Sequence, residues 1–220
     1  MKNKLYILGK SNYALAIIFD IVKLREWKVD LIIVQNIAES ENSSTEFPFE
    51  NGINYREIGL SDFNPSAEDE FIIGSIGKSR MKIKTYFERE YGIQSEQYRS
   101  IIHPSAVIAD TVSLGKGLHI GPMSVIAPFA NLKDHSTINR NVSVGHHTTL
   151  EAFACLNPGV NVSGICSIGE NVMIGAGATV LDQIRIGSGS IIGAGSIVTR
   201  NIEGGVVAYG SPAKVIRRTE

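Results

Sequence analysis

Two residues set eighteen positions apart, His146 and Gly164, carry the chemistry this sequence offers most clearly. An imidazole is a proton acceptor near neutral pH, and a backbone N–H held beside it is a donor for a developing oxyanion. Together they serve nucleophilic attack on a carbonyl. The same interval separates Gly175-Ala176-Gly177 from Gly193-Ala194-Gly195, and Asn139 from Asn157. Stacked small residues would line a smooth groove over backbone amides, fitted to a slender amide-bearing chain, while the glycines would also serve tight corners. The two asparagines could form a stacked amide pair, either structural or catalytic.

The interval has meaning because of the elements that must position these residues. From Ile102 an aliphatic residue stands at every sixth position, through Ile108, Leu114, Ile120 and Ile126, without omission to Ile186, Ile192 and Val198. Four places after each anchor comes a small or apolar residue, as in Ala130, Ser136, Val142, Thr148, Ala154, Val160 and Cys166. Strands alternate every two residues and helices near 3.6, so neither accounts for this period. A six-residue unit cannot bury its own anchor, and such units must coil and stack. If three units complete a triangular turn, residues eighteen apart lie above one another at about 4.8 Å. His146 follows its anchor Val144 by two positions, and Gly164 then sits one coil above it. The repeat runs from about Ile102 to about Ile202, and the turn-rich NIEGGVVAYGSPAKVIRR caps its open end.

The first hundred residues read differently. Leu5–Leu8 is a buried strand, Tyr13–Leu24 a helix with Ile17, Ile18, Ile21 and Val22 in one stripe, and Leu31–Val34 a second strand. Ser11 or Asn12 caps that helix. A polar stretch over 38–64 is an exposed loop with at most one strand. Phe71–Ile73 restarts the sheet, and a helix over Arg80–Tyr91 ends at Gly92. This order predicts a small Rossmann-like α/β domain over 1–100 before a β-helix domain over 101–220. The GxGxxG fingerprint is missing, yet Ser11, Asn12 and Tyr13 after the first strand and Gln35 and Asn36 after the second stand at the crevice where such sheets bind ligands.

With 21 basic and 22 acidic residues and no basic run, nothing marks a nucleic-acid surface. Gly9, Lys10, Asn12 and Asp20 interrupt any leader-like core, no stretch is long enough to span a bilayer, and the two cysteines have no metal or redox spacing. The expectation is a cytoplasmic protein with no metal.

KLYILGKSNY, FIIGSIGKSR, IIHPSAVIA, INRNVSVGHHTTL and GSPAKVIRR together make the chain resemble the sugar acyltransferases of the left-handed β-helix superfamily, similar to the bacillosamine N-acetyltransferase and sialic acid O-acetyltransferase families. The resemblance implies a left-handed solenoid, a homotrimer and an acyl-CoA donor, most simply acetyl-CoA, bound between neighbouring subunits. It makes His146 the general base and sets the Gly164 amide toward the thioester carbonyl. It places Cys155, Ala176, Ala194 and Lys214 beside CoA, and Asn139 near the acceptor sugar. Ser11, Asn12, Tyr13, Gln35 and Asn36 then face a nucleotide-linked sugar. His147 stands where an acidic partner of the base is usual, so that role falls to Glu151, to a partner subunit or to the second imidazole itself. Cys155 stands where a histidine is common. The implied activity is N-acylation of a nucleotide-linked deoxysugar in surface-glycan assembly. O-acylation of a sugar hydroxyl and a non-catalytic β-helix scaffold are the alternatives.

Overall fold

The computed structural model describes residues 4–35, 53–77 and 79–219. They form two compact units, Met1–Pro104 and Ser105–Glu220.

In the first unit, β1 (Lys4–Leu8), β2 (Asp30–Val34), β3 (Tyr55–Ile58) and β4 (Glu70–Ile73) form one parallel sheet in the order β3-β2-β1-β4. Runs such as LYIL and LIIV are apolar at every position because both faces of a parallel sheet are covered, and these residues are buried. Helix α1 (Asn12–Leu24) packs Leu15, Ile18, Phe19 and Val22 with Leu5, Ile7, Leu31 and Ile33. Helix α2 (Ser79–Tyr91) sets Phe87 among Phe63 and the strand residues Tyr6 and Phe71, which lie on the other set of alternating positions. Ser11 occupies the N-cap position of α1, but its hydroxyl makes no cap bond; its carbonyl accepts the Leu15 N–H instead. Gly92 ends α2 with φ of 67°, a conformation that favours glycine. Among the described residues, β3 is the single strand within the expected polar loop.

The second unit is a parallel β-helix. Each six-residue unit contributes a two-residue strand whose second residue is the anchor, as in Ser143–Val144 and Asn161–Val162. Strands eighteen residues apart pair in register, with Ile126 beside Val144, Val144 beside Val162 and Val162 beside Val180. Three faces result. One carries Ser143–Val144 and its stack from Val107–Ile108 to Ile197–Val198. The next carries Thr149–Leu150 and its stack from Ser113–Leu114 to Arg185–Ile186. The third carries Cys155–Leu156 with its neighbours up to Ile191–Ile192. Val206–Gly210 extends this third face and pairs antiparallel with Ala213–Arg218, closing the end as a hairpin.

Every anchor from Ile120 to Val198 is buried, whereas Ile102 and Ile108 are half-buried and Leu114 is exposed. Ile108 and Leu114 belong to the first coil of this unit, which has a neighbouring coil on one side only. The residues four places on are buried too, and their hydroxyls are satisfied within the stack: Ser124 donates to Asn139 O, Thr148 to Ser163 O and Ser190 to Glu203 O. Corners are made by one device. Every sixth residue from Gly117 to Gly195 has a positive φ. Glycine and asparagine accept this readily, but Phe129, His147 and the β-branched Ile165 take it at a cost of about 1–2 kcal/mol each.

Candidate active site

Phe129, His147 and Ile165 share one edge of the solenoid, eighteen residues apart, and beside them run Pro128, His146, Gly164 and Asp182. Backbone bonds between corners hold this edge, with His147 N–H donating to Pro128 O, Ile165 N–H to His146 O and Gln183 N–H to Gly164 O. Buried Thr148 ties two coils together beneath it, donating its hydroxyl to Ser163 O and accepting the Cys166 N–H. A corner over-determined in this way can hold strained residues, and strained residues cluster at functional sites.

The His146 ring lies against the α-carbon of Gly164. A Cβ at Gly164 would stand 2.7 Å from Nε2 and 2.9 Å from Cε1, so only glycine leaves the ring this seat. On its other side, His146 Nδ1 is 3.1 Å from His147 Nδ1. The His147 ring packs on Phe129 with centroids 4.9 Å apart. When His147 Nδ1 accepts from His146 Nδ1–H, the Nε2 lone pair of His146 is free to act as a base. Gly164 is buried, and its N–H donates to Asp182 Oδ1 at 2.9 Å. Sequence reasoning missed both Asp182 and Phe129. The eighteen-residue register that links His146 to Gly164 reaches them in one further step. Glu151 lies on a different edge, in an open groove with Ser167, Arg185 and Glu203.

The small-residue groove forms on the edge between the third and first faces. Ala176, Gly177, Ala194 and Gly195 are exposed, and a Cβ on Gly177 or Gly195 would meet nothing within 4 Å. Their neighbours' amides are engaged, Gly177 N–H with Pro158 O and Gly195 N–H with Ala176 O, while those of Ala176 and Ala194 make no hydrogen bond among the described residues. Two open amides above a side-chain-free track could accept a slender, amide-bearing chain. Half-buried Cys155 lies on the adjoining face, and exposed Lys214 lies on the closing hairpin that extends that face. Asn139 is on the groove edge as well, with its Oδ1 accepting the Arg140 N–H, while Asn157 donates its amide to Ile174 O. Each asparagine therefore serves the backbone rather than a stacked pair. Below them, Pro122, Met123, Arg140 and Gly159 line a shallow depression.

Within one chain, therefore, His146, His147 and Gly164 come together, whereas Ala176 and Ala194 line the groove and Asn139, Cys155 and Lys214 are spread along that edge and the adjoining face, with the Ser143–Val144 face between the two groups. In the first unit, Ser11 follows β1 and donates its N–H to Gly74 O. Tyr13 is exposed on the first turn of α1, where Asn12 is the opening residue, and exposed Gln35 follows β2. These residues lie at the C-terminal edge of the sheet. Asn36 lies outside the described residues. Burial raises the Cys166 thiol above its ordinary value, which keeps it protonated. Among the described residues no group of three or more His, Cys, Asp or Glu could hold a metal, and no helix is long and apolar enough to cross a membrane.

Fold and site define a hexapeptide-repeat β-helix with a small parallel α/β unit before it, and residues 165–200 match the model of the bacterial transferase hexapeptide (six repeats). The fold is that of the acetyltransferase domain of PglB from Neisseria gonorrhoeae (TM-score 0.79, 22% identity, 97% of this chain and 100% of that one). It is also that of PerB from Caulobacter crescentus, solved with CoA and GDP-perosamine (TM-score 0.77, 24% identity, 97% of each chain). In sequence, 55 residues are 44% identical to the 2,3,4,5-tetrahydropyridine-2,6-dicarboxylate N-acetyltransferase of Clostridium perfringens, covering 25% of this chain and 23% of that relative. The chain thus matches about a quarter of that curated relative's length.

Proposed function

We propose that the protein transfers an acyl group, most simply acetyl, from CoA to the amino group of a nucleotide-linked deoxysugar. The observation that carries this reading is the His146 ring seated on Gly164 with its Nδ1 engaged by His147. The shared fold of PerB, solved with CoA and GDP-perosamine, supports the choice of substrates. The neutral amine attacks the thioester carbonyl while His146 Nε2 accepts its proton. The C–N bond forms, the tetrahedral centre collapses with loss of the C–S bond, and His146 returns the proton to the departing thiolate. A neutral imidazole partner stabilises a charged imidazolium less than a carboxylate does. That pairing suits an amine, already nucleophilic once neutral, better than a hydroxyl.

CoA runs along the Ala176–Ala194 groove with Cys155 and Lys214 beside it, and Asn139 faces the acceptor. Because base and groove stand on different edges, one chain cannot present both to a single thioester. A closed three-fold ring, in which the base edge of one copy meets the groove edge of the next, completes the site. Ser11, Asn12, Tyr13, Gln35 and Asn36 hold the nucleotide. The reaction belongs to the cytoplasm, where acyl-CoA and nucleotide sugars are made.

Mass spectrometry with acetyl-CoA and a panel of nucleotide-linked amino sugars tests the activity. His146→Ala should lower turnover about 10²–10⁴-fold, with partial recovery at higher pH for an amine acceptor and none for a hydroxyl. Wild-type rates in that variant would defeat the mechanism, and no transfer by the unaltered protein would favour a scaffold. Co-assembling His146→Ala with Ala176→Trp tests the ring. Random mixing of equal amounts restores about a quarter of the sites if they are shared between copies, and none if each chain is self-contained.

A further inference from the structure

The amide that should receive the acyl oxygen is already occupied. Gly164 N–H donates to Asp182 Oδ1 at 2.9 Å, on the α-carbon that seats His146. Coil-to-coil caps of this type occur elsewhere: Lys116 N–H donates to Asp134 Oδ1 at 2.8 Å and Glu170 N–H to Ser188 Oγ at 3.2 Å. Both of those lie on the edge away from the base and the groove. In the groove, the equivalent amides of Ala176 and Ala194 carry no cap: the residue eighteen places on is Ala194 for the first and Pro212 for the second, and neither has a side-chain acceptor. Along the base edge the column reads Pro128, His146, Gly164, Asp182. Pro128 has no N–H, and Gly164 has no side chain with which to cap His146. In this column the cap therefore falls on the Gly164 amide beside the imidazole, while at the neighbouring corner position Thr111 Oγ1 accepts the Phe129 N–H.

We infer that Asp182 controls access of the acyl carbonyl to the Gly164 N–H, acting as a positioning residue for the acyl donor. The inference rests on the acyltransferase reading of this edge. A carboxylate is a stronger acceptor than a neutral thioester oxygen, so the bound thioester does not displace it. The oxyanion of the tetrahedral centre carries comparable charge and competes for the amide only as C–N bond formation proceeds. Asp182 thereby withholds the donor from the ground-state thioester, whether an amine or water is to attack it. Its own exposure leaves it free to swing into solvent once replaced.

The test compares the unaltered protein with Asp182→Ala, Asp182→Asn and Asp182→Ser, measuring kcat and KM for acetyl-CoA, acetyl-CoA hydrolysis without acceptor, and calorimetric affinities for acetyl-CoA and for CoA. Asp182→Ala should raise kcat/KM for acetyl-CoA about tenfold, the scale of one charged hydrogen bond weakened by solvent. Acceptor-free hydrolysis should rise with it. Affinity for acetyl-CoA should increase while that for CoA, which has no acyl carbonyl, stays the same. Asp182→Asn, which keeps a weaker acceptor, should fall between. Unchanged or lower kcat/KM in Asp182→Ala with a reduced Tm, restored by Asp182→Ser, would make Asp182 an ordinary corner cap and overturn the inference. Should the unaltered protein transfer nothing, the acyltransferase reading fails on its own, and the acetyl-CoA to CoA affinity ratio still decides whether Asp182 guards the amide.

Discussion

Replacing Gly164 by alanine separates the chemistry of the base edge from its stability. No positive φ is required at Gly164, so alanine fits the backbone. Its Cβ would lie 2.7 Å from His146 Nε2, against an ordinary contact of 3.4 Å, so the ring must retreat by about 0.7 Å, the difference between these two distances. The obstructing atoms are the end of a mobile side chain, and the ring is exposed, so the fold yields at small cost. Gly145 provides the contrast: there a Cβ would meet Gly164 N at 2.5 Å and other backbone atoms of the next coil, which cannot retreat without parting the coils. Gly164→Ala should thus keep Tm within a few degrees while kcat falls about 10²-fold, the scale of a misplacement near 1 Å. Gly145→Ala should unfold the repeat at markedly lower temperature. Steady-state kinetics with acetyl-CoA, beside thermal melts, read both effects. Full turnover in Gly164→Ala would show that the ring's seat on the glycine does not matter to the reaction.

Converting His147→Glu places a carboxylate beside His146, stabilises imidazolium and raises the pKa of the base, so the acid limb of the kcat/KM profile should move to higher pH by about one unit; an unmoved limb would separate His147 from the base. Tyr13→Ala combined with Asn36→Ala should raise the KM for the nucleotide sugar several-fold and leave that for acetyl-CoA alone, and equal losses for both would make the first unit structural. Burial raises the Cys166 thiol, so its neutral form stabilises the fold up to the unfolded thiol pKa, and this contribution declines as pH rises beyond it. Native thiol titration near neutral pH should therefore spare Cys166 and denaturation should release it; rapid native labelling of Cys166 would refute this.

Fold and site were legible to different depths. The anchors announce the solenoid because each must be buried by a neighbouring coil, and the period of six fixes which residues share an edge. Thus the neighbourhood of His146 and Gly164 follows from arithmetic alone. Leu114 departs from its fellows because position in the stack, not residue type, decides burial at the first coil. The Asp182 bond was not legible in the same way: the register places its side chain near the Gly164 amide, but an aspartate can cap, turn to solvent or pair with a cation, and only geometry chooses. Asn139 and Asn157 make the same point, since stacking offered them each other and the corner backbone offered better partners.

One interval therefore gives three edges three characters through the residue two places after each anchor. Where that column holds aspartate or serine beyond a polar residue, as with Asp134 over Lys116 and Ser188 over Glu170, the side chain closes the amide of the residue eighteen places before it. Where it holds alanine over alanine, the amides of Ala176 and Ala194 make no hydrogen bond among the described residues. Where it holds histidine, glycine and aspartate in succession, an imidazole is seated on the glycine and the neighbouring N–H is covered by a carboxylate. None of these choices touches the anchors, which supply the apolar burial that holds the coils together. Substitution in the corner columns can consequently change the chemistry an edge presents while the stability of the stack is largely preserved.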